Sequence, residues 1–298
     1  MGSTTKSQTA ASLSLLIDEG ILNWTTPVNT LMPEDFILSD PWATTHVTIE
    51  DVLSHRTGYG RHDLASQPSQ QEFVRALRHL PMTSEPRTQW RYSNHMYTAM
   101  GYLIEVVTQK KLAEVFKSWL WEPMGMSSTY LSLSEAKNTG KLAKPYWWNN
   151  QTQSYVTLPY PKDLENSQGA GMVISSVRDY AKYLKVLIDN SAPISTAGHR
   201  ELTTPRIMLE PGNPYFTGPV WSGLGWESSI FENEVIHSHT GSVDGFNAVI
   251  VYIPARKFGL VISTNVNAPS AARNTAWWHI LYEYFRVPVE RRVDTEES

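Results

Sequence analysis

Residues 239–265 read HTGSVDGFNAVIVYIPARKFGLVISTN. Two runs inside this stretch, 247–253 (NAVIVYI) and 258–264 (FGLVIST), are dominated by β-branched side chains and joined by Pro254-Ala255-Arg256-Lys257. Branching at Cβ favours the pleated backbone, so this pattern predicts an antiparallel strand pair. Immediately before it stands His239-Thr240-Gly241-Ser242. A glycine on a strand edge lets an acyl group approach the backbone closely, and N–H groups there are candidates for holding an oxyanion. His239 and Thr240 are candidates for binding a substrate carboxylate. His237 and His239 share a strand face, a spacing that also suits a metal, but no third ligand accompanies them and no metal site is expected.

Working back along the chain, the period changes to helical. Residues 177–188 carry a helical pattern, and residues 93–109 place Met96, Met100, Leu103, Ile104 and Val107 on one stripe. Residues 112–120 repeat the pattern before Pro123 and Gly125. Thr48, followed by Glu50 and Asp51, reads as a capped helix start that ends at Arg56-Thr57-Gly58-Tyr59-Gly60. Residues 3–20 place Ala10, Leu13, Ile17 and Ala11, Leu15 at helical spacing and stop at Gly20. Residues 269–285 close the chain as a helix. Residues 138–166, with Trp147, Trp148, Tyr155 and Tyr160, read as an aromatic surface loop that walls a cleft or packs on the helices. Residues 203–225 read as a Pro- and Gly-rich connector. The expectation is one α+β unit with segregated layers, 1–165 mainly helical and 166–298 containing the sheet.

Composition fits a folded, core-burying globular protein and not a nucleic-acid binder. The 298 residues carry 25 basic and 29 acidic side chains, a net charge of −4 that excludes a strongly basic nucleic-acid binder. With 41% hydrophobic and 18% charged residues the chain can bury a core. There is no Cys, which excludes disulfides and thiolate metal sites. No apolar run reaches the roughly 18–20 residues that span a bilayer, and the first residues lack a signal-peptide layout, so as written the chain reads as cytoplasmic, with no membrane partner. The sequons at Asn23 and Asn150 matter only in a secreted protein.

Two further constellations bear on chemistry. In Ser3-Thr4-Thr5-Lys6, a helix places the hydroxyl and the amine one turn apart on one face. Ser becomes a nucleophile when a base takes its proton, and Lys serves as that base once burial lowers its pKa. Alone, Ser-x-x-Lys also suits a polar helix cap with a solvated Lys. In Tyr92-Ser93-Asn94 the phenol can relay protons when nearby positive charge lowers its pKa, and the Asn amide can hold both a lysine and a substrate carbonyl. The N–H groups of Ser3 and Ser242 together form a candidate oxyanion hole.

Ser-x-x-Lys, Tyr-x-Asn and His-Thr-Gly in this order resemble the serine β-lactamase-like and penicillin-binding protein family: class C β-lactamases, DD-peptidases and related esterases and acyltransferases. The likeness extends through residues 13–22, 48–58, 92–108, Glu122-Pro123-Met124-Gly125-Met126, 169–171 with 177–183, and 239–265. It implies a β-lactamase/transpeptidase-like fold, an antiparallel sheet flanked by helices plus a helical domain, with the site in the cleft between. It also implies roles: Ser3 as the acylated nucleophile, Lys6 as its base and Tyr92 as proton relay. Asn94, His239, Thr240, Gly241 and Ser242 would bind a small ester or amide substrate. No cofactor is implied, and oligomer formation stays open.

Two departures qualify the carry-over. His239 stands where most β-lactamases have Lys, which shifts the expectation toward a peptidase, esterase or acyltransferase. The resemblance also implies several tens of residues before the nucleophile, including a helix and two sheet strands that are expected to be missing here. Strand 258–264 is therefore expected to be an open apolar edge, and Met1 to be an internal methionine of a longer protein. The alternative is a catalytically impaired or structural member of the same fold.

Overall fold

The computed structural model of the chain describes residues 1–65, 67–161, 165–210, 213–267 and 271–293. Its centre is helix α1 (Thr5–Asp18), in which every residue from Thr5 to Ser14 is buried. A helix covered on all sides has no polar face, and its small residues Ser7, Thr9, Ala10, Ala11, Ser12 and Ser14 let neighbouring elements approach closely. Glu19 and Gly20 end it, Gly20 at φ +73°. Helix α2 (Asn94–Thr108) packs against α1 with the expected stripe of Met96, Met100, Leu103 and Ile104 inward.

The second layer is a six-stranded sheet built from β1 (Ile207–Met208), β2 (Trp221–Ser222), β3 (Glu227–Phe231), β4 (Glu234–Val243), β5 (Phe246–Ile253) and β6 (Phe258–Thr264). Its order is β6-β5-β4-β3-β2-β1 with every neighbour antiparallel. The expected strand pair is present, in register from Phe258 opposite Ile253 to Thr264 opposite Asn247. Strand β5 is buried on both faces. Ile250 and Tyr252 join the core around α1, α2 and helix α3 (Val177–Asp189), whereas Val249, Val251 and Ile253 pack on Trp277, Trp278 and Leu281 of helix α4 (Ala271–Phe285). The fold is thus α+β, helices on both faces of an antiparallel sheet.

Three segments differ from the expectation. The 203–225 connector contains β1 and β2, two-residue strands too short to display a period. The 138–166 loop contains a hairpin, Tyr146–Asn149 with Ser154–Thr157, to which Val266–Asn267 adds in parallel. Its rings pack on one another, Trp148 against Tyr155 at 4.8 Å. Residues 112–120 form one α turn, Leu112–Val115, that runs into a π-helical turn, Phe116–Trp121, where Trp121 donates to the buried Gln8 side chain. The last helix begins at Ala271; Pro269, where the sequence pattern starts it, lies outside the described residues.

Strand β6 is the end strand, and no other strand pairs with its outer edge among the described residues. A groove between α3 and β6 is lined by Val177, Ala181, Leu184, Gly259 and Val261. No described helix is long and apolar enough to cross a membrane.

Candidate active site

The site forms where the start of α1, the start of α2 and the free end of β4 meet. Strand β3 pairs with β4 only up to Glu227 opposite Ser238, so that among the described residues no strand continues the sheet on this side of residues 239–243. Gly2–Thr4 is a 3₁₀ turn leading into α1, which sets Ser3 at the helix start and Lys6 in its first turn. This turn packs against β4 so tightly that only glycine fits at the crossing. A Cβ on Gly241 would lie 2.0 Å from the Met1 carbonyl oxygen, and one on Gly2, at φ +56°, would lie 2.6 Å from the Ser242 nitrogen. The Ser3 nitrogen lies at the same crossing, 3.0 Å from where a Gly241 Cβ would stand.

Asn94 is available because it is not the helix cap. Ser93 takes that place, accepting from Met96 N–H, and Asn94 as the first helical residue turns its amide toward α1. Tyr92 is held from both flanks by His55, a residue at φ +60°. The Arg91 N–H donates to the His55 carbonyl at 2.7 Å and the Ser93 N–H to His55 Nδ1 at 3.2 Å. The His55 ring lies 4.4 Å from that of Tyr92.

Two groups therefore converge on Ser3, one from the next turn of its own helix and one 89 residues away in sequence. Tyr92 donates its phenol hydrogen to Ser3 Oγ at 2.7 Å, and Lys6 Nζ lies 3.1 Å from the same oxygen. Lys6 Nζ also donates to Asn94 Oδ1 at 2.7 Å and to the Ala170 carbonyl at 2.6 Å. His239 is on β4, buried, with its Nδ1 donating to the Thr240 carbonyl. Thr240 is exposed beside it, and Ser242 Oγ donates to Asn247 Oδ1. Among the described residues no group of three His, Cys, Asp or Glu side chains forms a metal cluster; His237 instead shares a hydrogen with Ser228.

Residues 1–284 match the β-lactamase family. The chain belongs to that family. It is 38% identical to unguisins hydrolase ungD' of Aspergillus campestris over 98% of this chain, and 36% identical to unguisins hydrolase ungD of Aspergillus violaceofuscus. The chain spans 57% of the length of each of these relatives. Among solved structures, the octameric penicillin-binding protein homologue from Pyrococcus abyssi superposes with a TM-score of 0.82 at 26% identity, covering 94% of this chain and 65% of that one. A class C β-lactamase from Rhodobacter sphaeroides shares the fold at 19% identity, with a TM-score of 0.77 over 95% of this chain and 84% of its own.

At this candidate site of the β-lactamase-family chain, burial is the largest influence on the pKa values. Lys6 is fully enclosed, and desolvation, helped by the Arg61 guanidinium and opposed by Asp63, holds its amine well below the ordinary lysine range. A neutral amine has two hydrogens and one lone pair. Lys6 Nζ directs two of its positions to the carbonyl oxygens of Asn94 and Ala170 and a third to Ser3 Oγ, so an amine that gives up its charge there has its lone pair available to the Ser3 hydroxyl. Burial pushes Tyr92 up to about 12, against the pull of its hydrogen bond to Ser3 and of Arg61. The expectation of a lowered tyrosine pKa is not met, because desolvation of the phenol outweighs the pull of Arg61 and of the Ser3 hydrogen bond. His239 is pushed down to about 4 by burial and by Lys6, so it offers a carboxylate hydrogen bonding and no positive charge.

Sequence reading missed Ala170, His55, Arg61 and Asp63. A backbone carbonyl has no sequence signature, although Gly169-Ala170-Gly171 marks a close approach. Arg61 lies 4.4 Å over the Tyr92 ring, and Asp63 accepts from Asn94 Nδ2 at 2.8 Å. A cavity of about 690 Å³ reaches from Met1 and Gly171 past Tyr130, Leu142, Tyr160 and Phe246.

Proposed function

We propose that this chain is a serine hydrolase that cleaves an amide or ester through an acyl-enzyme on Ser3. The observation that carries the reading is the single Ser3 oxygen bonded at once to the Lys6 amine and the Tyr92 phenol. Neutral Lys6 takes the Ser3 proton as Oγ bonds to the substrate carbonyl carbon. The resulting oxyanion is received by the N–H groups of Ser3 and Ser242. Tyr92 gives its proton to the leaving nitrogen or oxygen as that bond breaks, and the Lys6 ammonium restores it. Water, activated by the same pair, then releases the acid and frees Ser3.

The two Aspergillus relatives are named for unguisins, so unguisins are the substrates to assay first. Transfer of the acyl group to an alcohol or amine uses the same chemistry with a different acceptor. Fluorophosphonate labelling read by intact mass tests the nucleophile. One adduct is expected on the wild type and none on Ser3→Ala; an adduct that persists on Ser3→Ala overturns the assignment.

A further inference from the structure

A side-chain amide can sit in its pocket either way round, and at Asn94 the choice decides whether Lys6 can act as a base. With Oδ1 toward Lys6, as found, the amide takes one amine hydrogen and leaves the lone pair on Ser3. Turned over, its NH₂ would face Lys6, the lone pair would be claimed by that donor, and Ser3 would lose its proton acceptor. What selects one orientation lies on the other side of the amide. Asn94 Nδ2 donates at 2.8 Å to Asp63 Oδ1, from a loop 31 residues earlier in the chain. A carboxylate accepts and never donates at neutral pH, so a reversed amide would set oxygen against oxygen there. Asp63 is itself steadied by Arg61 Nη1 at 3.2 Å, and the Arg61 guanidinium rests on the Tyr92 ring.

We propose that Asp63 is a positioning residue of the catalytic centre: by accepting from Asn94 Nδ2 it fixes the amide in the orientation that aims the Lys6 lone pair at Ser3. The assignment rests on the acyl-enzyme reading for its effect on rate, and on the Asn94–Asp63 contact for its geometry. The Asp63 side chain is 41% exposed on a loop outside the core, so variants there are expected to retain the fold.

The test measures the fluorophosphonate acylation rate and the side-chain amide NMR signal of Asn94. Asp63→Leu is expected to acylate about 10-fold or more slowly, since small misplacements at a reacting centre cost one to two orders of magnitude. Asp63→Asn, which still offers an oxygen, is expected to restore most of the rate. In an Asn94→Ala background, Asp63→Leu is expected to add no further loss. The Asn94 amide signal is expected to shift in Asp63→Leu. Wild-type acylation by Asp63→Leu, or the same fractional loss with and without Asn94, overturns the proposal, as does an unmoved Asn94 signal. Wild-type protein that takes up no label overturns the acyl-enzyme reading instead, and the NMR signal then decides the positioning separately.

Discussion

The Ala170 carbonyl oxygen accepts from Lys6 Nζ at 2.6 Å, across 164 residues of chain. Together with Asn94 Oδ1 it gives the enclosed Lys6 amine two carbonyl acceptors, the arrangement that the proposed general base requires. Burial alone would lower the pKa; the two carbonyls also give the lone pair a direction.

Removing either partner of Ser3 is expected to slow turnover strongly. Lys6→Ala and Tyr92→Phe should each lower the rate of p-nitrophenyl ester hydrolysis by about 10²-fold or more, the usual effect of losing a general base or acid. Stopped-flow or steady-state assays check this, and unchanged rates would show that the ester activity arises elsewhere.

The pH dependence follows from Lys6 acting as a free base. Activity is expected above its lowered pKa and lost as pH falls through it. The groups facing Lys6 are Ser3 on the turn before α1, Tyr92, Asn94 and Tyr97, His55, Arg61 and Asp63 from the 54–63 segment, and His239 on β4. Burial lowers both histidines, which leaves Arg61 and Asp63 as the charges that act on the amine. Arg61→Gln should move the acid limb of the kcat/KM profile to higher pH and Asp63→Asn to lower pH. Shifts of the same sign would contradict this electrostatic account.

Glu227 stands where β3 leaves β4, and burial raises its carboxyl to about 7 from 4.5. An acid with a raised folded pKa is neutral in both states below about 4.5 and destabilises the fold as pH rises toward 7. Glu227→Gln should therefore raise Tm at pH 8, by the equivalent of about 3 kcal/mol at most, and leave it unchanged at pH 4. Thermal melts at the two pH values measure the difference.

Gly241→Ala tests the crossing of the Ser3 turn and β4. With a Cβ 2.0 Å from the Met1 carbonyl, the turn must move, and labelling of Ser3 should fall by at least about 10²-fold while β4 keeps its sheet partners. A labelling rate equal to wild type would show that the turn is not held by this contact.

Asp51 holds the segment that carries His55 and Arg61. Its fully buried carboxylate accepts from Arg56 Nε at 2.6 Å, Arg87 Nη2 at 2.7 Å and Thr48 N at 3.0 Å, and these bonds hold its pKa below the usual carboxylate value against the effect of burial. Asp51→Ala removes the buried carboxylate shared by Arg56, which keeps Glu50, and by the half-exposed Arg87, and it takes away one side of the Thr48 capping box. A loss of about 3–5 kcal/mol in urea unfolding is expected, the range for breaking a buried ion pair.

The sequence by itself determined the elements whose hydrophobic period is long, namely α1, α2, α3 and the β5–β6 pair, and it named Ser3, Lys6, Tyr92 and Asn94 by residue type and spacing. Ser3 and Lys6 meet because three helical residues make one turn, a local rule that sequence contains. Everything that brings Tyr92, Asn94 and β4 to that turn depends on contacts between residues about 90 to 240 positions apart. Only the tertiary structure decided these, along with the Ala170 carbonyl, the grip of His55 on Tyr92 and the Asp63 acceptor. A backbone oxygen, a ring packed beneath another ring and a carboxylate on an irregular loop acquire their roles from position alone, since protonation and lone-pair direction are set by burial and by neighbours that only folding supplies.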